Sequence, residues 1–392
     1  MMRQHGAIFG RTRALPLVVV AVFVGCFLSA NPPAGRAQAP HRYTVANLKA
    51  LETAFVALAD KVSPSVVAIR TYHDIRVRRG GRGRTPMIVK EPVSHGSGLI
   101  IGADGYILTN YHLLDDANSL SITLFNGERY DGTVVKADRR SDLVVLKIDA
   151  TGLKPVRWGT YEDVRVNQWC FAAGNPFGLA TFDGRASVTY GVVSGLGRQL
   201  SDRIEIPPGE IDIRYYGNLL ETSATINPGS SGGPLFNIDG RVIGIVTAIE
   251  TSSGVNEGHG FAIPITKNIR RIVDQLRNGK EVRYGFIGVQ AVDIWSLPPE
   301  RSTAVRRNRG ALIDSLVDPQ SPAARAGLQP LDIVIEFDGV PVRNSDHLVR
   351  LVGFTPVGTK AEIKYLRDDV ERTTKITVGD RADLLGYDPI DD

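Results

Sequence analysis

Gly229-Ser230-Ser231-Gly232-Gly233-Pro234 sets a serine among small residues, with the apolar stretch Leu235 to Ile249 behind it. Glycine before and after a serine allows a crowded turn, and such a turn can aim backbone N–H groups at a developing oxyanion. On this reading Ser231 is a nucleophile, and the amides of Gly229 and Ser231 are its oxyanion donors. The same string also suits an ordinary Gly/Ser hairpin loop, so partners elsewhere in the chain must decide. A serine hydroxyl attacks poorly at neutral pH unless a histidine takes its proton and a carboxylate orients that histidine.

Both partners lie upstream. His112 closes GYILTNYH, an apolar strand after the turn Ala103-Asp104-Gly105, and Asp142 opens the strand-like run SDLVVLKI. Asp138 is the rival acid, but it sits in a charged turn with Arg139 and Arg140, whereas Asp142 leads directly into apolar sequence. The order His112, Asp142, Ser231 bears on the fold. Gly229 to Gly233 also satisfies G-x-S-x-G, but the α/β-hydrolase elbow runs serine, acid, histidine. His259 follows Ser231 without a convincing acid between them, and no strand-helix alternation surrounds the site. Short strands and glycine turns from Val66 to Ile265 predict a pair of all-β barrels instead. His259 then reads as structural, and His41, His73, His95 and His347 as solvated or packed imidazoles.

Six ordered segments carry a family likeness: SPSVVAI (63–69), GSGLII (96–101), GYILTNYH (105–112), SDLVVLKI (141–148), AAGNPFGL (172–179) and TINPGSSGGPLFN (225–237). The chain resembles the HtrA family of chymotrypsin-like serine proteases over nearly all of residues 42–380. The resemblance implies two six-stranded β-barrels with the triad in the cleft between them, cutting unfolded or damaged exported proteins. It gives His112 the role of general base, Asp142 that of orienting acid and Ser231 that of nucleophile. Ser230 stands where the family usually has Asn and Ser223 where it usually has Asp, which bears on the specificity pocket rather than on the triad. Ile226 and Ser230, with the loop after Ile249, are the expected substrate-binding positions. With no acid at the pocket floor, a small or medium aliphatic residue before the cut bond is expected.

A second module follows. YGFIGV (284–289), SPAARAGLQPLDIVIEFDGVPV (321–342) and SDHLVRLV (345–352) resemble a bacterial PDZ domain, which adds a peptide strand at its own edge and holds a terminal carboxylate on loop amides. Tyr284, Gly285, Phe286, Ile287 and Gly288 would form that loop. Leu331 occupies a turn position where the family usually has glycine, so a turn of another type is expected there. The fold class is thus mainly β: a chymotrypsin-like double barrel (63–276), a linker (277–283), a small α+β PDZ domain (284–380) and a tail (381–392).

The 392 residues include 43% hydrophobic and 22% charged side chains, ordinary globular material for two or three domains. The formal charge of +4 belongs to the first 39 residues, which carry Arg3, Arg11, Arg13 and Arg36 and no acid. The remainder is near neutral and offers no electrostatic case for nucleic acid. Residues 1–39 read as a secretory signal with cleavage near Ala30 or Ala34, implying export to the periplasm, or alternatively as an uncleaved inner-membrane anchor. Gly25-Cys26 is weakly similar to a lipoprotein site. Cys170, between Trp169 and Phe171, reads as a packed apolar residue, not a reactive thiol.

Residues 40–62 hold an amphipathic helix with Leu48, Leu51, Phe55 and Leu58 at helical spacing. In the family this segment also builds a trimer, with Tyr43 and Phe55 as candidate aromatics, although Phe55 suits its own core equally well. RVRRGGRGR (76–84) reads as a flexible loop, and Arg198 to Asn218 as a long mobile loop near the site. Arg198 falls where the family has a regulatory sensor arginine. A helix is expected from Ile265 to Leu276. No metal or organic cofactor is implied. The partners expected are unfolded proteins, C-terminal peptides and further copies of the chain in a homotrimer or higher oligomer. Two alternatives stand beside protein quality control: a holding chaperone or scaffold with minor proteolysis, and a membrane-anchored protease that cuts one signalling protein.

Overall fold

The structure, a computed structural model, describes residues 44–77, 87–206, 210–247, 259–294 and 309–385. Residues 1–43, with His41 and Tyr43, most of the arginine-rich run, the loop after Ile249 and residues 386–392 of the C-terminal tail lie outside those residues, while the start of the tail forms a short helix, Arg381–Leu385. The first sheet runs Arg129–Asp131, Ser119–Thr123, Val66–Val77, Met87–Ile100, Tyr106–Thr109, Leu143–Lys147, Thr133–Asp138. Its first and last members are two halves of one strand broken at Gly132, so the sheet closes on itself as a six-stranded barrel. Glycine makes room at that bend for the Leu120 side chain, whose Cδ1 lies 2.3 Å from where a Cβ would stand. The second sheet contains Pro234–Asn237, Trp169–Gly174, Ser187–Ile206, Glu210–Thr222, Gly260–Pro264 and Arg241–Thr247, and closes by pairing Pro234–Asn237 with Arg241–Thr247.

The apolar runs lack clean alternation because both faces of these strands are buried. Ile100, Ile107, Val144 and Leu146 fill the first barrel. Their neighbours Leu99, Leu108, Leu143 and Val145 enter a separate core shared with Phe171, Phe236 and Ile245 of the second barrel. Cys170 and Ala172 face the second barrel's interior, while Phe171 and Ala173 join the shared core. This shared core fixes one barrel against the other.

Two helices seal it. Lys267–Arg277 is capped by Thr266, whose hydroxyl accepts from the Ile269 amide at 3.1 Å, and it buries Ile269, Ile272, Val273 and Leu276. The expected helix therefore starts after Ile265, which remains a buried residue at the end of a strand. Helix Val45–Val62 buries Leu58 and Val62. Phe55 packs in its own chain, with ring centroids 4.9 Å from both Trp169 and Phe171 and 5.3 Å from Tyr190. Among the described residues no helix is long and apolar enough to cross a membrane.

Two loop expectations need correction. Strand Val66–Val77 runs on through Arg76 and Val77, which pair with Ile88 and Met87. Arg198 to Asn218 is not an irregular loop: its backbone forms a hairpin ladder from Arg198↔Leu219 to Ile206↔Glu210. Ile204, Ile206, Ile211 and Ile213 alternate with charged residues at the strand period, and that signal is masked in the sequence by the surrounding charges and by Pro207-Pro208. The base of this hairpin leans on the C-terminal domain. The Arg343 and Arg350 guanidinium groups fill the space that Cβ atoms at Gly197 and Gly217 would need.

The C-terminal domain has a sheet ordered Val289–Asp293, Ala311–Leu316, Ile333–Phe337, Lys360–Arg367, Val370–Thr377. Helix Ser345–Phe354 is capped by Asn344, whose side chain accepts from the His347 amide at 3.0 Å. Leu331 adopts a left-handed backbone, with φ of 75°, so the turn is of the kind that favours glycine rather than of another type. Its neighbour dictates this. Asp332 is buried and held by Arg367 through two bonds of 2.7 and 2.8 Å, and it accepts from the Gln329 amide at 2.8 Å. That network outweighs about 1–2 kcal/mol of left-handed strain. Leu331→Gly is expected to stabilise this domain by about 0.5–1 kcal/mol in chemical denaturation.

His347 is also buried, and its Nδ1 accepts from the Arg343 amide at 3.2 Å. Burial, with Arg343 and Arg350 adding repulsion, pushes its pKa down to about 4. The unfolded chain therefore binds the extra proton first, and stability should fall as pH drops from about 6.5 toward 4. His347→Asn should flatten that slope in pH-resolved thermal unfolding of this domain.

Candidate active site

Strand Tyr106–Thr109 ends at Asn110, and a single helical turn, Tyr111–Leu114, lifts His112 beside the turn that carries Asp142. Asp142 is buried, with φ of 54°. Its carbonyl accepts from Asn110 Nδ2 at 3.0 Å and from the Tyr111 amide at 3.1 Å. Its carboxylate accepts from the His112 amide at 2.9 Å and meets the ring Nδ1 at 2.8 Å. With Nδ1–H directed at a carboxylate, the neutral ring carries its lone pair on Nε2, the form that can accept a proton. Asp138 is placed otherwise. Its Oδ2 accepts from the Ser141 amide at 3.1 Å and from the Tyr284 hydroxyl, so it braces the turn.

Ser231 is buried on the turn between Pro228 and Pro234, and Ser97 of the first barrel holds that turn. The Ser97 amide donates to the Ser231 carbonyl at 2.8 Å, and its hydroxyl donates to the Gly229 carbonyl at 2.7 Å. The same hydroxyl accepts from the Asn175 amide at 2.7 Å, while the Ser97 carbonyl accepts from Thr109 Oγ1 at 2.6 Å. Thr109 lies three residues before His112, so one residue joins the histidine's strand to the serine's turn. Gly229 has φ of 95°, and a Cβ there would stand 2.3 Å from the Asn175 carbonyl oxygen. The Pro228 carbonyl accepts from the Phe177 amide at 2.8 Å. In a trans peptide the Gly229 N–H must then point the opposite way. Phe177 makes that bond from a left-handed backbone, φ 57°, which is costly outside glycine.

With this geometry in place, comparison with known proteins is decisive. Residues 96–245 match the model of a trypsin-like peptidase domain, and residues 285–378 that of a PDZ domain. A probable periplasmic serine endoprotease, DegP-like, from Halomonas elongata is 38% identical over 357 residues, covering 84% of this chain and 71% of the relative. A protein of the same description from a Marinomonas species is 37% identical, covering 83% and 71%. The solved HtrA-type protease AlgW with a decapeptide superposes with a TM-score of 0.63 at 28% identity, covering 83% of this chain and 98% of that one. The chain belongs to the HtrA family of DegP-like serine proteases. It carries one trypsin-like domain followed by one PDZ domain.

The protease's other expected positions are distributed around this centre. Ile226 is buried, with its Cδ1 2.5 Å from where a Gly260 Cβ would stand. The Ser230 amide donates to the Asn227 carbonyl at 2.9 Å, and the Ser223 hydroxyl accepts from the Val192 amide at 3.0 Å. Arg198 Nε donates to buried Glu221 at 2.5 Å, and His259 Nδ1 meets the other oxygen at 2.7 Å. Burial alone would raise the Glu221 pKa, but the His259 and Arg198 bonds bring it below the usual carboxylate value. His73 Nδ1 lies 3.1 Å from the Asp116 carbonyl oxygen. Cys170 is buried against Thr222, and burial pushes its thiol up to about 11, which leaves it unreactive.

In the PDZ domain, Gly285, Phe286 and Ile287 line a cavity of about 350 Å³ between strand Val289–Asp293 and helix Ser345–Phe354. Gly288 has φ of 79° and abuts Ser321, a contact with no room for a Cβ. Tyr284 is not among the residues lining the cavity. It is buried, donates its hydroxyl to Asp138 and lies under the Arg140 guanidinium, 4.4 Å from the ring centroid.

Ser97 and Phe177 escaped the sequence reading, and His95, read as a solvated or packed imidazole, is packed at a place that reading did not give. Ser97 stands inside a motif that signalled the family without revealing its bonds. Phe177 acts through a backbone amide, which side-chain chemistry does not announce. His95 presses its ring edge against the Gly229 turn, and burial, with Arg70 adding repulsion, holds it below its ordinary pKa. Ser97→Ala should leave the Gly229 carbonyl and the Asn175 amide without this partner. A loss of about 2–4 kcal/mol in unfolding free energy is expected, with a drop in peptidase kcat at unchanged pH optimum.

Proposed function

We propose that the protein is a periplasmic quality-control endopeptidase in which His112, Asp142 and Ser231 form the catalytic triad. The observation that carries this reading is the His112–Asp142 pair, with Nδ1 on the carboxylate at 2.8 Å and Nε2 left as the acceptor. The serine turn is tied to the same strand through Ser97 and Thr109. Export follows from the signal-like residues 1–39, and the relatives described as periplasmic support it.

In the reaction, Ser231 Oγ attacks the carbonyl carbon of a peptide bond while His112 Nε2 takes the hydroxyl proton. Negative charge gathers on the carbonyl oxygen and meets the amides of Gly229 and Ser231, the first turned by the Phe177 bond to Pro228. The tetrahedral intermediate expels the amine, which takes the proton from His112, leaving an ester on Ser231. Water then repeats the sequence and frees the acid. Asp142 keeps the imidazole in one tautomer and favours its transient charge. Ile226 and Ser230 shape the pocket for a small or medium aliphatic side chain.

The PDZ cavity takes the C-terminal strand of a peptide along the Val289–Asp293 edge, for recruitment or activation. A solved relative described as holding a decapeptide supports peptide recognition. The Arg198–Glu221 pair at the base of the long hairpin is the regulatory contact, and the working form is a homotrimer or larger assembly. A fluorophosphonate probe should label the wild type on Ser231. Ser231→Ala should abolish labelling and casein cleavage with the fold intact, and His112→Ala should lower kcat about 10⁴-fold or more. Full cleavage by the Ser231→Ala protein would overturn the assignment.

A further inference from the structure

Among the residues lining the PDZ cavity, the charged ones are Arg381 and Arg140, both cationic. Arg381 opens the short helix directly behind the PDZ domain; Arg140 lies in the protease domain. It stands in the first barrel's turn, two residues before Asp142. Its guanidinium lies over the Tyr284 ring, and Tyr284 is itself anchored through its hydroxyl to Asp138 of the same turn. The stack holds the planar group in one attitude.

The position of that group is informative. Arg140 Nη2 lies 3.2 Å from where a Cβ of Gly353 would stand, in the last turn of helix Ser345–Phe354. Close by, the Val352 carbonyl oxygen lies 2.3 Å from where a Gly285 Cβ would stand, so this is the end of the groove at which strand Gly285–Phe286 begins. A helix C-terminus presents negative partial charge, and an anion arriving there needs a cation to offset it. The rest of the lining, with Val289, Val317, Leu348 and Val352, is mainly apolar and suits an apolar last side chain.

We propose that Arg140 of the protease domain receives the terminal carboxylate of the peptide in the PDZ groove, so that the binding site is a composite of the two domains. The inference rests on the reading of this groove as a C-terminus binder. An arginine fork matches a carboxylate in two parallel bonds, and its preorganised stack lowers the ordering cost. The ligand's charge is then met on the turn that carries Asp142.

The test uses the full chain with Ser231→Ala, which prevents cleavage, and a labelled decapeptide ending in valine, as free acid and as C-terminal amide. Fluorescence anisotropy should show the acid binding about tenfold or more tighter than the amide. Arg140→Gln should cut the acid-to-amide preference at least about threefold, the loop amides keeping the remainder, while leaving the amide's affinity within about twofold. Arg381→Gln should preserve the preference for the acid. An unchanged acid-to-amide ratio in Arg140→Gln would overturn the proposal while leaving the groove reading intact. If the parent protein binds neither peptide, or both equally, the groove reading falls and the proposal with it. Should Arg140→Gln weaken the amide too, Arg140→Met, which keeps the aliphatic stem over Tyr284, is judged by the same ratio.

Discussion

Ser97 is the residue on which the catalytic geometry turns. It is fully buried, and its amide, hydroxyl and carbonyl are engaged in four hydrogen bonds of 2.6–2.8 Å to Ser231, Gly229, Asn175 and Thr109. A buried polar group left unmade costs more than the bond itself is worth, so each bond constrains its partner's backbone. The histidine's strand, the serine's turn and the Asn175 segment are thereby held to one reference point. The Asn175 segment in turn brings Phe177 to the Pro228 carbonyl, so the direction of the Gly229 amide is inherited from the same knot.

That knot works because the barrels are held together by apolar packing on a larger scale. The inner stretches of their strands bury both faces: one side fills a barrel, the other fills the shared core sealed by helices Val45–Val62 and Lys267–Arg277. Dense packing of this kind resists relative sliding, and bonds of fixed length between the barrels become possible. Burial also explains the quiet residues. Cys170 lies in this interior and is chemically inert for the same reason that it is well packed.

The PDZ domain meets the protease domain through Phe354, which packs against the shared core, and through several polar contacts. Tyr284 reaches Asp138, Arg140 covers Tyr284, Arg271 donates to the Phe354 carbonyl at 3.2 Å, and Lys136 pairs with Glu281 of the linker at 3.0 Å. Burial raises the Asp138 pKa, while the bonds from Ser141 and Tyr284 oppose the rise, so this carboxylate depends on the PDZ domain for part of its compensation. The turn bearing Asp142 is therefore built with material from both domains.

The sequence by itself determined the class of fold, the order of its elements and the histidine–acid pair. Short apolar strands between glycine turns encode barrels locally, and His112 and Asp142 sit in segments whose character survives without knowledge of their neighbours. It also marked Leu331 as standing where backbone strain would arise, but not that the Arg367–Asp332 network would hold it left-handed. The tertiary structure alone decided the junction at Ser97, the Phe177 bond to Pro228 and the place of Arg140. These depend on backbone groups and on residues far apart in the chain that close packing brings within hydrogen-bonding distance, and no periodicity along the chain records such meetings.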